Sequence, residues 1–238
     1  MHNTLTIAKR QFRSYFNGPV AYIVISIVLL ALGVLFWTRF FLFGRASVRL
    51  MFQLLPIFML LAAPAMTMGL LAEEKRTGTI ELLITMPVRD AEVILGKFLG
   101  VFALFGTLLL LTLPYPISVS MLGKLDWGPV GAGYLGLLLQ GGAMLALGLL
   151  ASSWTENQLI ALFTGVALCL LFTFVIQWVL PVLPGAAASV LEWLSLNYHL
   201  ESMARGVIDS RDLIFFVSLI AFALMFAFRS LESRRWRS

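Results

Sequence analysis

Charge is scarce in this chain: Asp, Glu, Lys and Arg make up 12% of its 238 residues, against 60% hydrophobic residues. A soluble domain of this length could not bury so much apolar surface, so lipid is expected to be its main solvent. Cysteine is nearly absent. The single copy, Cys169, excludes an intrachain disulfide, and with only His2 and His199 far apart in sequence no metal-ligand cluster can be read. Charge is also missing where it would matter most, because no Asp, Glu, Lys, Arg or His occupies the interior of any long apolar run. Ion-coupled carriers and proton pumps need an ionisable group at membrane depth, and intramembrane proteases or transferases need a dyad or metal ligands. Both classes are disfavoured, and energy for any work is expected to arrive from outside the membrane.

Six runs are long enough, at about 20 residues, to cross the hydrocarbon core. They cover roughly 20–38, 50–72, 98–122, 129–151, 158–180 and 212–229. The last is short and is expected to rely on Arg229 reaching for the interface. Pro56, Pro64, Pro114 and Pro116 predict kinks in the second and third crossings. With the N-terminus inside, eleven Lys and Arg face the cytoplasm and six face out, which favours N-in and C-in. The net charge of +5 is therefore read as topology-setting, with membrane lipid and not nucleic acid as its counterpart.

Before the first crossing, Leu5, Ala8, Phe12, Tyr15 and Phe16 recur at helical spacing while Lys9, Arg10 and Arg13 fall elsewhere, so residues 1–17 read as an amphipathic helix in the interface. Lys9, Arg10 and Arg13 ahead of an apolar run also resemble a signal peptide, but the run is longer than a usual h-region and is read as retained. Residues 181–211 are too polar to cross and too apolar for a free loop. Short helices at the outer leaflet are expected there, with Gly206 ending one of them.

The most charged cytoplasmic segment is Glu73–Lys97. Glu73, Glu74, Lys75 and Arg76 extend the second crossing by a turn, Gly78 breaks it, and a short helix restarts near Thr79 with Ile80, Leu82, Leu83, Ile84 and Met86 on one side. Pro87 stops that helix and Asp90 is a good N-cap for the next. A short rigid helix between two crossings can transmit a push from a soluble partner; a solvated loop with interfacial charges would use the same residues.

Glu73-Glu74-Lys75, Gly78-Thr79, Glu81, Leu82-Leu83 and Pro87, followed by Gly96-Lys97, resemble the signature of ABC-2 type transporter permeases, and most of all the gliding-motility permease subunit family. The likeness extends to Lys9-Arg10 with Tyr15-Phe16, to Ser152–Asn157, to Ser202–Asp209 and to Leu231–Trp236. It implies an all-α integral membrane protein, one permease domain over 1–238, with six transmembrane helices, an N-terminal elbow helix and the ABC-2 (type V exporter-like) fold. It implies a coupling helix in the loop 73–97 docking on a separate ATPase subunit, with Glu73, Glu74, Arg76, Gly78, Thr79 and Glu81 forming or positioning the contact and Glu156 and Asn157 as secondary candidates. It further implies a bacterial inner membrane setting, a homodimer with two ATPase subunits, and ATP and Mg held on the partner with no cofactor on this chain, which is then not itself an enzyme. Gliding-type relatives also work beside a membrane-anchored extracytoplasmic protein, so force transmission without a transported substrate stands as the alternative, ahead of a non-energised scaffold.

Two motifs are decoys. Gly131-Ala-Gly133-Tyr-Leu-Gly136 has dinucleotide spacing but opens an apolar span, where small residues serve helix packing. Gly96-Lys97 lacks the Ser or Thr and the first Gly of a phosphate loop, leaving Gly96 and Gly100 as another packing pair. Gln53, Gln140 and Gln177 read as interhelical hydrogen-bonding groups ahead of substrate contacts.

Overall fold

Each apolar run becomes a helix because backbone polar groups in lipid must be satisfied within their own segment. The computed structural model describes residues 2–43, 47–78, 89–179 and 191–235, and these hold helices and no strand. In chain order they are α1 (His2–Asn17), α2 (Val20–Phe43), α3 (Arg49–Thr67), α4 (Gly69–Arg76), α5 (Asp90–Leu111), α6 (Pro114–Leu122) and α7 (Trp127–Trp154). Next come α8 (Gln158–Leu170), a π-helical turn (Leu171–Val175), α9 (Ile176–Val179), α10 (Leu196–Ala204) and α11 (Ser210–Arg235). Six crossings of sufficient length and hydropathy result: Val20–Leu42, Arg49–Arg76, Asp90–Leu122, Trp127–Trp154, Gln158–Val175 and Ser210–Glu232.

Several boundaries differ from the sequence reading. The third crossing begins at Asp90 rather than 98, because the Glu92 carboxylate folds back to accept from the Arg89 backbone N–H at 3.2 Å. Asp90 is therefore the first helical residue and Arg89 the cap position. The helix that carries the sixth apolar run is longer than that run: α11 continues past Arg229 to Arg235, with Arg229 paired to Glu232 at 3.5 Å one turn on. Of the prolines, Pro64 precedes the break between α3 and α4 and Pro114 opens α6 after a break from α5, whereas α3 runs through Pro56. Gly206, at φ +93°, ends α10 as expected: its N–H reaches Met203 O at 2.9 Å and the Val207 N–H reaches Ser202 O at 3.3 Å.

The central post is α7, with 83% of its crossing window buried, against 28% for α2, 22% for α8 and 28% for α11. Its glycines permit this. A Cβ at Gly136 would meet Leu200 at 2.9 Å, and Gly133 and Gly141 are covered by the rings of Phe52 and Phe105. The dinucleotide-like spacing is thus a packing pattern.

A candidate coupling site at the α1 end of the bundle

One end of the bundle gathers the segments that the sequence singles out. There, α1 lies against the start of α5. A Cβ on Gly96 would meet Ile7 Cβ at 2.7 Å, and one on Gly100 would meet Gln11 Cβ at 2.6 Å, so the paired glycines form the groove in which α1 sits. The seated face carries Thr4, Ile7, Ala8 and Gln11, and Leu5, expected on the apolar side, is turned out at 65% exposure. Tyr15 closes the contact by donating its hydroxyl to Met66 O at 2.6 Å. Burial pushes that phenol's pKa up, which keeps it a proton donor.

The α3–α4 joint is the second component. A helix interrupted at Met68 leaves backbone groups without their regular partners. Ser152, from the last turn of α7, supplies them. Its Oγ accepts from the N–H groups of Leu71 at 3.1 Å and Ala72 at 3.0 Å, and donates to Met68 O at 2.8 Å. Thr67 adds a bond from its hydroxyl to Ala63 O at 2.9 Å. The adjacent Ser153 carbonyl accepts from the Lys75 ammonium and from the Ser230 hydroxyl, the latter at 2.9 Å. Two serines thereby tie the root of the 73–97 segment to α7 and α11.

Lys97 is the third component. It lies inside α5 with its side chain 5% exposed, donates to Leu70 O at 2.6 Å and pairs with Glu74 at 2.7 Å. A buried ammonium is tolerated only when paired and hydrogen-bonded, and both conditions are met. The pair joins the two ends of the 73–97 segment, so that its loop emerges from a closed base.

The sequence-derived site residues divide accordingly. Glu74 belongs to the base. Glu73 and Arg76 face outward, 3.8 Å apart, with side chains 52% and 64% exposed. Gly78 adopts φ +70°, which L side chains rarely take, and terminates the helical extension after Thr77. Thr79 and Glu81 lie outside the described residues. At the α7–α8 turn, Asn157 accepts from the Leu159 N–H at 2.9 Å and so caps α8, while Glu156 is exposed. A cavity of about 390 Å³ opens beside the base, its mixed lining including Gln11, Tyr15, Glu73, Glu74, Lys97 and Gln158 beside Met66, Met68 and Leu70.

Sequence reasoning missed the roles of Ser152, Ser153, Lys75, Lys97 and Ser230. Lys75, Lys97, Ser152 and Ser153 all lie within the motifs that carry the family resemblance, but their partners are distant in the chain. It also missed a pair at the opposite end, where His199 Nδ1 lies 2.7 Å from Asp212 Oδ1 with both side chains buried. The other ring nitrogen, Nε2, faces Trp193 O at 2.9 Å, and the ring stacks on Phe215 at 4.0 Å. With both nitrogens engaged by this chain's own oxygens, the pair is a clasp between α10 and α11 and leaves no nitrogen to act as a base on a substrate. Among the described residues no group of His, Cys, Asp and Glu could hold a metal ion.

Six helices long and apolar enough to cross define a multi-pass membrane protein. The chain belongs to the ABC-2 family of transporter proteins, whose sequence model matches residues 10–228. Its members are the permease components of ABC transporters and typically partner with an ATPase subunit. No curated protein matches the chain.

Proposed function

We propose that this permease sits in the bacterial inner membrane with its N-terminus and C-terminus both on the cytoplasmic side, and is driven through the 73–97 segment by an ATPase docking on that side. The observation that carries the reading is the stapled base, in which Ser152, Ser153 and the Glu74–Lys97 pair join the loop to α5, α7 and α11. A loop free to flex would dissipate a push. One anchored to the central post and the last crossing passes it to the bundle. Glu73, Arg76 and Gly78 then present and orient the docking helix, Thr79 and Glu81 extend the contact, and Glu156 with Asn157 borders it. ATP and Mg are held by the partner subunit, and this chain holds no cofactor.

A second copy completes the permease, since α2, α8 and α11 leave most of their surface uncovered by this chain. Export through a cavity between copies is the first mode. The gliding-type alternative, in which two copies transmit force to a membrane-anchored extracytoplasmic protein, keeps the same drive and differs only in output. A hydrated path between copies favours export, and a dry, tightly packed interface favours force transmission.

The test is co-purification of the permease with its ATPase subunit, comparing wild type with Glu81→Arg and Gly78→Pro. Either change is expected to weaken association while membrane insertion and permease yield are unchanged. Unaltered association together with unaltered ATPase stimulation would remove the assignment.

A further inference from the structure

At the end of the bundle opposite α1 lies a cleft of about 200 Å³ between α3, the π turn and α10. An ion pair stands at it, Arg49 to Glu201 at 3.2 Å, with both side chains about half exposed. Gln53 and Asn197 supply amides, and Phe52 and Phe174 supply apolar wall. Behind Asn197 a polar chain runs into the protein. Gln140 donates to Asn197 Oδ1 at 3.0 Å, and Asn197 donates to Thr173 O at 3.3 Å within the π turn, a geometry found often at functional sites. Around this chain, Gln140 Oε1, Thr173 Oγ1 and Ser195 Oγ are buried without a hydrogen-bond partner among the described residues. Buried polar atoms of this kind mark a place where water or a polar guest belongs.

The outward face of α3 says which guest. Positions one turn apart are Arg49, Gln53, Ile57 and Leu61, and all four are exposed. The stripe therefore passes from cation to amide to aliphatic over successive turns of about 5.4 Å. A membrane phospholipid has that sequence of chemistry, headgroup then acyl chain. Charge narrows the class. An anionic headgroup can offer its phosphate to Arg49 but brings no cation for Glu201, whereas a zwitterionic one can direct phosphate to Arg49 and ammonium to Glu201. A primary ammonium also has N–H groups for the carboxylate and the amide oxygens, which a quaternary one lacks.

We propose that this cleft is a binding site for a phosphoethanolamine-headed phospholipid, with the headgroup between Arg49 and Glu201 and an acyl chain along Ile57 and Leu61. The inference stands apart from the ATPase reading; only the naming of the leaflet, outer, depends on the orientation proposed above.

The experiment is native mass spectrometry of the purified full chain with dioleoyl phosphatidylethanolamine, phosphatidylcholine or phosphatidylglycerol. Free phosphoethanolamine is added as a competitor. Wild type is expected to hold phosphatidylethanolamine about tenfold more tightly than the other two, Arg49→Gln and Glu201→Gln to lose that preference, and Arg49→Lys to keep most of it. Gln53→Leu, on the exposed face and without consequence for folding, is expected to weaken retention several-fold, about threefold or more. Equal retention of the three lipids by wild type would overturn the proposal, as would an undiminished preference in both neutral variants. Displacement by free phosphoethanolamine at a concentration no higher than the lipid's would also overturn it, by showing that the acyl chain contributes nothing to binding. So would efficient disulfide cross-linking of Ile57→Cys between two copies, by showing that a second chain covers the stripe.

Discussion

Ser152 is one hydroxyl doing three tasks, since it accepts two backbone N–H groups at the α3–α4 joint and donates to Met68 O. Ser152→Ala strands those donors in a buried place, and a loss of about 1–3 kcal/mol of stability is expected, read as a lower melting temperature of the purified permease. Ser152→Thr keeps the hydroxyl and is expected to recover part of it. Lys97 and Glu74 differ in kind, because they are opposite charges in contact and Lys97 is buried. Lys97→Met alone is expected to destabilise by about 1–3 kcal/mol, a range reduced from that of fully buried pairs because Glu74 retains some exposure. Adding Glu74→Gln is expected to restore part of the loss, and a thermal double-mutant cycle measures it. None of these partnerships could be seen in the sequence. Ser152 and Lys97 stood out by resemblance alone, and hydropathy assigned Lys97 to the loop because it could not show that Glu92 would start α5 early enough to bury it.

At the scale of elements, the joint between α1 and α5 rests on Gly96 and Gly100, whose missing side chains admit Ile7 and Gln11. Gly100→Leu is expected to lift α1 from its groove. A cysteine placed at Gln11 should then react with a water-soluble maleimide several-fold faster, while the six crossings stay inserted. At the opposite end, His199→Ala removes the ring that joins Asp212, Trp193 O and Phe215, and a loss of about 2–4 kcal/mol is expected from the stranded carboxylate and the lost packing. His199→Ala with Asp212→Asn is expected to recover some of it, read as a thermal shift. Elements were the most legible level. The six runs, the amphipathic start, the stop at Gly78 and the Gly206 terminus followed from periodicity and composition, because these are local rules. Their ends were less legible, as at Asp90 and beyond Arg229, because helix ends depend on which cap or neighbour satisfies them.

For the molecule as a whole, α7 is the post around which α3, α5, α8 and α11 pack, with α2 lying outside against α3, and its last turn is also where the root of the 73–97 segment is fastened. Stability and the proposed drive thus converge on one helix end. That convergence was not legible, because Lys75, Ser153 and Ser230 meet only after the bundle closes. The central claim is that fastening, rather than docking alone, carries the ATPase's work into the membrane. It is tested most directly by reconstituting the permease with its ATPase subunit and measuring both association and permease-dependent ATPase stimulation for Ser152→Ala with Lys75→Met. The account expects association to be unchanged and stimulation to fall about tenfold. Stimulation equal to wild type in that double variant, with the complex intact, would contradict it.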